Sequence, residues 1–200
     1  MNGMNRLAIV GASGHGKVAA DIARLVGYEE IVFLDDNDNL TKCGRYPVIG
    51  KVSDVSNIKA DVFVAIGNAE IRCKIMNEIG KCVTLIHPDA VIAEDVSIGE
   101  GTVIMAGTVI NSGTIIGNGC IVNTCSSVDH DCILSDFVHV AVGAHLCGTV
   151  SVGEGTWIGA GATVSNNISI CDQCMIGAGS VVVKNLIEPG LYKGVPAVLS

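Results

Sequence analysis

Three of the five histidines in this 200-residue chain stand close together, His130, His139 and His145, and the first is flanked by acids in Val128-Asp129-His130-Asp131. A neutral imidazole beside a carboxylate is a general base, and either neighbour can orient it or raise its basicity. The sequence alone leaves open whether Asp129 or Asp131 reaches the ring. Taken singly, a surface histidine is more often solvated or at an interface than catalytic; the two flanking acids shift the reading toward chemistry.

A second constellation is GASGHG, with Gly11, Gly14 and Gly16 between an apolar strand, Arg6 to Val10, and a helical stretch, Lys17 to Val26. Free amides and the positive end of a helix favour a phosphate there. The spacing is GxxGxG rather than GxGxxG, so a dinucleotide site is not supported. Asp35 and Asp36 end the next strand, Ile31 to Leu34, where an acid accepts hydrogen bonds from a ribose or base. The plainer alternative is a tight turn with both acids in a solvated loop. Cys171 and Cys174 form a lone CxxC without a second pair or a nearby histidine, so neither a metal nor a redox role is expected there.

These residues need elements to hold them. Every sixth residue from Ile92 to Val182 is aliphatic. A helix repeats at 3.6 and an ordinary strand at 2, so a strict period of six predicts short strands joined by regular corners, a β-helix. Positions two before each repeat residue are mostly small or β-branched (Thr102, Thr108, Thr114, Cys120, Ser126), as a narrow interior requires. Gly99, Gly117, Gly153, Gly159 and Gly177 follow directly on repeat residues and are expected to supply corner conformations open to glycine.

The first part reads as a βαβ unit with a glycine-rich turn. A polar connection follows (Asn37 to Arg45), then a strand from Asp61 to Ile66, a helix from Ala69 to Ile79 and a short strand from Val83 to Ile86. Two domains are expected, a βαβ domain over residues 1–86 and the β-helix with its tail over 87–200.

Composition narrows the partners. A net charge of −8 and a pI near 4.9 argue against nucleic acid, which needs a basic stripe. The apolar run before Gly11 is too short for a signal peptide or a membrane span, so a cytoplasmic protein with no membrane partner is expected. Several of the nine cysteines fall at inward positions and read as small apolar filler.

Together GASGHGKV, FLDD, AIGN, EIR, LIHP, NTCSSVDHDCILSDFVHV and KGVPA resemble the bacterial sugar acyltransferases of the hexapeptide-repeat superfamily. The resemblance spans almost the whole chain and is greatest to the bacillosamine-pathway N-acetyltransferases and the sialic acid O-acetyltransferase group. It implies a Rossmann-like N-terminal domain, a left-handed parallel β-helix and a homotrimer with active sites at its interfaces. It implies acetyl-CoA as co-substrate and no metal. His130 matches the general base and Asp131 its acidic partner, where the bacillosamine enzymes look to have glutamate. His139, Gly148, Ala160 and Ala178 match acetyl-CoA positions, with the Gly148 amide where it polarises the thioester carbonyl. Ser13, Gly14, His15, Asp35, Asp36 and Gly67 match the nucleotide-sugar pocket.

The activity so implied is acetyl transfer to the 4-amino group of a UDP-linked amino-dideoxysugar. The nearest rival is a sugar O-acetyltransferase. A metalloenzyme of the γ-carbonic anhydrase type needs three histidines around zinc, and the spacings from His130 to His139 and His145 do not fit an eighteen-residue coil. A non-catalytic nucleotide-sugar-binding trimer leaves the VDHD segment without a role.

Overall fold

The computed structural model describes residues 5–200. The chain divides into two compact units, one ending at Pro88 and the other running from Asp89 to Ser200.

The first unit is built on strand β1 (Arg6–Val10), helix α1 (Gly14–Leu25), β2 (Glu30–Leu34), β3 (Lys42–Cys43), β4 (Tyr46–Gly50), β5 (Asp61–Val64) and helix α2 (Ala69–Ile79). The sheet order is β3-β4-β2-β1-β5, with β1 parallel to both β2 and β5. Leu7 to Val10, Ile31 to Leu34 and Phe63 to Ala65 are buried. That is the near-continuous apolar reading of strands covered on both faces. Helix α1 starts at Gly14, three residues earlier than its apolar spacing suggests, because glycine-rich turns obscure helix starts. The connection read as polar contains β3, which pairs antiparallel with β4 just beyond it. Pro47 inside β4 hides that strand, since proline argues against a sheet position.

The second unit is a three-faced parallel β-helix. Two-residue strands pair with a step of eighteen residues, as in Val109 with Val91 and Ser127, or His139 with Ile121 and Trp157. The repeat residues turn inward: Ile104, Val122, Val128, Val140, Ile158 and Val164 are buried at 1% exposure or less. Each such side chain contributes about 1.5–3 kcal/mol relative to an exposed one.

The small residues two positions earlier complete the interior. Where they are polar they are satisfied internally: the Thr114 hydroxyl donates to the Asp129 carbonyl at 2.8 Å, and Thr102 donates to the Gly117 carbonyl at 2.8 Å. Such pairing lets a buried hydroxyl avoid a desolvation penalty.

The corners differ from expectation. From Ile98 to Ile176, left-handed φ falls three residues after each repeat residue, at Gly101, Gly107, Gly113, Gly119, Gly143, Gly155, Gly161 and Gly179, and also at Cys125, Asp131, Phe137, Thr149, Asn167 and Gln173. Gly99, Gly117, Gly153, Gly159 and Gly177 are not at these positions. Four of them are glycine for want of room: a Cβ on Gly99 would lie 2.5 Å from the Gly117 carbonyl carbon, and one on Gly117 2.7 Å from the Asp136 amide. Gly153 and Gly159 are crowded in the same way by Asp172 and Ile176, while Gly177 has more space.

Candidate active site

His130 lies at a corner, directly after the strand Ser127–Val128. Val128 packs inside, so two residues later the chain has turned and the imidazole is exposed, with 54% of its side chain open to solvent. Its Nδ1 is 2.8 Å from Asp131 Oδ2. Asp131 therefore supplies the orienting carboxylate, and aspartate is long enough because the corner curls it back: Asp131 occupies a left-handed conformation with φ 58. Aspartate tolerates that region better than most residues.

Asp129 does a different job. Its Oδ1 accepts from the His130 backbone amide at 2.8 Å and from Asn111 Nδ2 at 2.7 Å. The Asn111 bond and the His130 amide hold its carboxyl below the usual range. The hydrogen bond to Asp131, then the charge of Asp129, raise the imidazole above the ordinary histidine value. Because Asp131 is an acceptor, Nδ1 carries the ring proton of the neutral form and Nε2 keeps its lone pair. Nε2 is the atom available for proton abstraction.

Two glycines make room for this pair. One coil on, Gly148 lies against the ring, and a Cβ there would sit 2.5 Å from Nε2. One coil back, a Cβ on Gly113 would sit 2.5 Å from Asp131 Oδ1.

The other two histidines are elsewhere. His139 stacks on Trp157 with ring centroids 5.2 Å apart and planes at 10°, and its Nε2 is 3.2 Å from Asn123 Nδ2. His145 bonds through Nδ1 to Ser127 Oγ at 2.8 Å on another face. Among the described residues no group of three histidine, cysteine or acidic side chains gathers to hold a metal. Ala160 and Ala178 are exposed at equivalent corners one coil apart, where the Gly179 amide bonds to the Ala160 carbonyl at 2.9 Å.

In the first unit the sheet gathers Ser13, Gly14 and His15 after β1, Asp35 and Asp36 after β2, and Gly67 after β5. These are the carboxyl ends of three adjacent parallel strands, and β1 is where the strand order reverses. Open α/β sheets bind ligands at such a switch point. Ser13 caps α1 without a side-chain bond. Gly11 at φ 104 leaves no room for a Cβ against Ile66 and Ala65, and one on Gly16 would strike the Gly11 carbonyl and Phe33. Gly14 and Gly67 meet no such obstacle.

Both acids are tied to the backbone, Asp35 half-buried and Asp36 exposed. Asp35 accepts from the Ala12 amide at 2.7 Å and the Asn37 amide at 2.9 Å, and Asp36 from the Val52 amide at 3.0 Å. They tie the glycine-rich turn and the Val52–Asn57 segment to the end of β2.

Sequence reasoning missed Arg72. It is 1% exposed on α2 and donates to the Ile66 and Gly67 carbonyls at 2.7 and 2.9 Å, fixing the loop after β5. Burial, and then the charge of Arg72, lower the His15 imidazole to about 4. His15 is neutral at pH 7, with Nε2 out of solvent and without a hydrogen-bond partner among the described residues.

Residues 6–79 match the PglD N-terminal domain family, and residues 81–112 and 149–184 match the bacterial transferase hexapeptide family. Among solved structures, the acetyltransferase domain of PglB from Neisseria gonorrhoeae is 40% identical, with a TM-score of 0.94 over 98% of this chain and 100% of that one. This chain belongs to the hexapeptide-repeat sugar acyltransferases. Within this family, the PglB domain with acetyl coenzyme A bound is 39% identical, with a TM-score of 0.96 over 99% of this chain and 100% of that one. PerB from Caulobacter crescentus, in complex with CoA and GDP-perosamine, is 35% identical, with a TM-score of 0.92 over 97% and 96%. The β-helix is accordingly the left-handed form of hexapeptide-repeat acyltransferases. The stretch between the two hexapeptide matches contains VDHD and the non-glycine corners Cys125, Asp131 and Phe137, yet the eighteen-residue step continues through it unbroken.

Proposed function

We propose that this protein transfers the acetyl group of acetyl-CoA directly to the 4-amino group of a nucleotide-linked amino-dideoxysugar. The observation that carries the reading is the His130 to Asp131 bond beside Gly148, in a chain so similar to sugar acetyltransferases with bound acetyl-CoA, or CoA and GDP-perosamine. The amine attacks the thioester carbonyl, and His130 Nε2 accepts the proton lost as the carbon–nitrogen bond forms. Asp131 stabilises the resulting imidazolium, and the Gly148 amide polarises the carbonyl oxygen. The thioester bond breaks and CoA leaves as the thiol, without a covalent enzyme intermediate.

His139, stacked on Trp157, and the exposed corners Ala160 and Ala178 line the acetyl-CoA arm in this reading. Ser13, Gly14, His15, Asp35, Asp36 and Gly67 hold the nucleotide sugar. An exposed base suits a site completed by a neighbouring copy, and the family resemblance makes the working form a homotrimer; the location is the cytoplasm, where acetyl-CoA and nucleotide sugars meet. Among the described residues no helix is long and apolar enough to cross a membrane. A UDP-linked acceptor is the first choice and a GDP-linked one the second, prompted by the PerB complex.

A thiol-release screen of purified protein with acetyl-CoA and UDP-, GDP- and dTDP-linked 4-amino sugars tests this. Release dependent on one amino sugar is expected. Release with a free sialic acid and none of the amines overturns the reading in favour of O-acetylation.

A further inference from the structure

The turn from Cys171 to Cys174 has no part in the chemistry above. Its two sulfurs are 3.5 Å apart, in direct contact. The residues bracket a corner whose second member, Gln173, is left-handed at φ 56. A four-residue turn brings its end Cα atoms within about 7 Å, and a disulfide spans about 4.4–6.8 Å between Cα atoms.

One hydroxyl pins both sides of the turn. Thr156 Oγ1, buried on the preceding coil, donates to the Cys171 carbonyl at 3.0 Å and accepts from the Cys174 amide at 3.1 Å. With the backbone held, bond formation at about 2.05 Å needs a sulfur approach of only ~1.5 Å by side-chain rotation. Cys120 and Cys132, in the same inward register, turn their thiols to the carbonyls of Ser135 and Cys147 at 3.2 Å, whereas the Cys174 thiol lies 3.6 Å from the Glu188 carbonyl and touches the Cys171 sulfur as well.

The pair is also asymmetric. Cys171 is half-buried and reachable, whereas Cys174 is 2% exposed. An accessible thiol next to a sheltered second one is the layout of an attacking and a resolving cysteine. Burial, reinforced by the hydrogen bond and charge of Cys171, pushes the Cys174 thiol up to about 12. The Cys171 contributions vanish once that sulfur is capped, while burial continues to hold the Cys174 thiol up, so the second step is the slower one.

We propose that Cys171 and Cys174 form a reversible dithiol and disulfide site for small disulfides of the glutathione type. The Cys171 thiolate attacks one sulfur of the oxidant, whose sulfur–sulfur bond breaks and releases one glutathione thiolate. Cys174 loses its proton to solvent and attacks the Cys171 sulfur, and the mixed disulfide breaks with release of the second glutathione. Two protein thiols are oxidised, one glutathione disulfide is reduced to two thiols, and the two protons end on those thiols.

The test is equilibration of the folded, full-length protein in graded ratios of reduced to oxidised glutathione, followed by acid quench, alkylation and peptide mapping by mass spectrometry. The expected result is an internal 171–174 disulfide that titrates with the ratio and reverses with excess reduced glutathione. The Cys171→Ser variant, a near-isosteric change at a half-buried position against the core, is expected to keep a urea midpoint close to the wild-type one and to leave Cys174 unmodified in the folded state. A persistent mixed disulfide on Cys171, two free thiols throughout the titration, or a bond that forms only in denaturant would each overturn the proposal. None of these readouts depends on acetyl transfer.

Discussion

Replacing Gly148 by alanine isolates the geometry of the proposed base from its chemistry. The added methyl would lie 2.5 Å from His130 Nε2 and 2.6 Å from Cε1, where ordinary contact begins at 3.4 Å. The ring must therefore move by ~0.9 Å, and because it is exposed it swings outward rather than forcing the coil apart. That motion strains or breaks the 2.8 Å bond to Asp131. A displacement of about 1 Å at a reacting group costs on the order of 10² in rate. The alanine keeps the backbone amide assigned to the thioester carbonyl, and Gly148 does not require a left-handed φ. Thermal stability is thus expected to change little. Steady-state thiol release is expected to show kcat down about 100-fold with KM for acetyl-CoA nearly unchanged. In a His130→Ala background the same change is expected to cost nothing more, because the group it displaces is gone. A Gly148→Ala enzyme with near wild-type kcat, or an equal loss in both backgrounds, would refute the reasoning.

Further outcomes follow from the same contacts. His130→Ala is expected to lower turnover by about 10²–10⁴ while acetyl-CoA affinity, read by calorimetry, is kept. The raised His130 pKa means that the base is protonated up to a higher pH, so the acid limb of the kcat/KM profile lies above 6.5. Asp131→Asn removes the main cause and should move that limb down; a limb that stays put contradicts the pairing. His15 titrates at about 4 folded against 6.5 unfolded. Between those values only the unfolded chain takes up its proton, so stability falls as pH drops through the window, by at most about 3 kcal/mol. Denaturant melts of His15→Asn should lack that part of the acid loss. Gly153→Ala drives a Cβ into Asp172 of the next coil and should destabilise by about 1–3 kcal/mol, measured as a lower urea midpoint.

The sequence made the interior of the β-helix legible, because a prism that narrow accepts only an aliphatic residue every sixth position and a small one two before it. It did not make the corners legible. Glycine does not mark every left-handed turn, because Cys125, Asp131, Phe137, Thr149, Asn167 and Gln173 fill the same turn positions, and glycines such as Gly99 and Gly117 are instead required by close packing between coils. The acids beside His130 were visible, but which one reaches the ring depends on the corner conformation of Asp131. Contacts between coils were hidden for a similar reason. Trp157 under His139 and Gly113 beside Asp131 are eighteen residues from their partners, and coil arithmetic alone would have linked them. Arg72 carried only its motif as a signal, since a buried guanidinium satisfied by loop carbonyls reads in sequence like any helix-surface arginine. Asp35 and Asp36 look like ligand groups in sequence, and their backbone bonds show that they hold together the loops at the end of β2.

The central claim is that acetyl moves from the thioester of acetyl-CoA to a sugar nitrogen. The most direct measurement is the bond in the product: purified protein, acetyl-CoA and the nucleotide amino sugar that releases most thiol, with the product treated by hydroxylamine and followed by NMR and mass spectrometry. The account predicts one acetyl group per sugar, on nitrogen, stable to hydroxylamine, and absent with His130→Ala over the same interval. An acetyl group removed by hydroxylamine, and hence on oxygen, or an unmodified sugar from active wild-type protein, would contradict it.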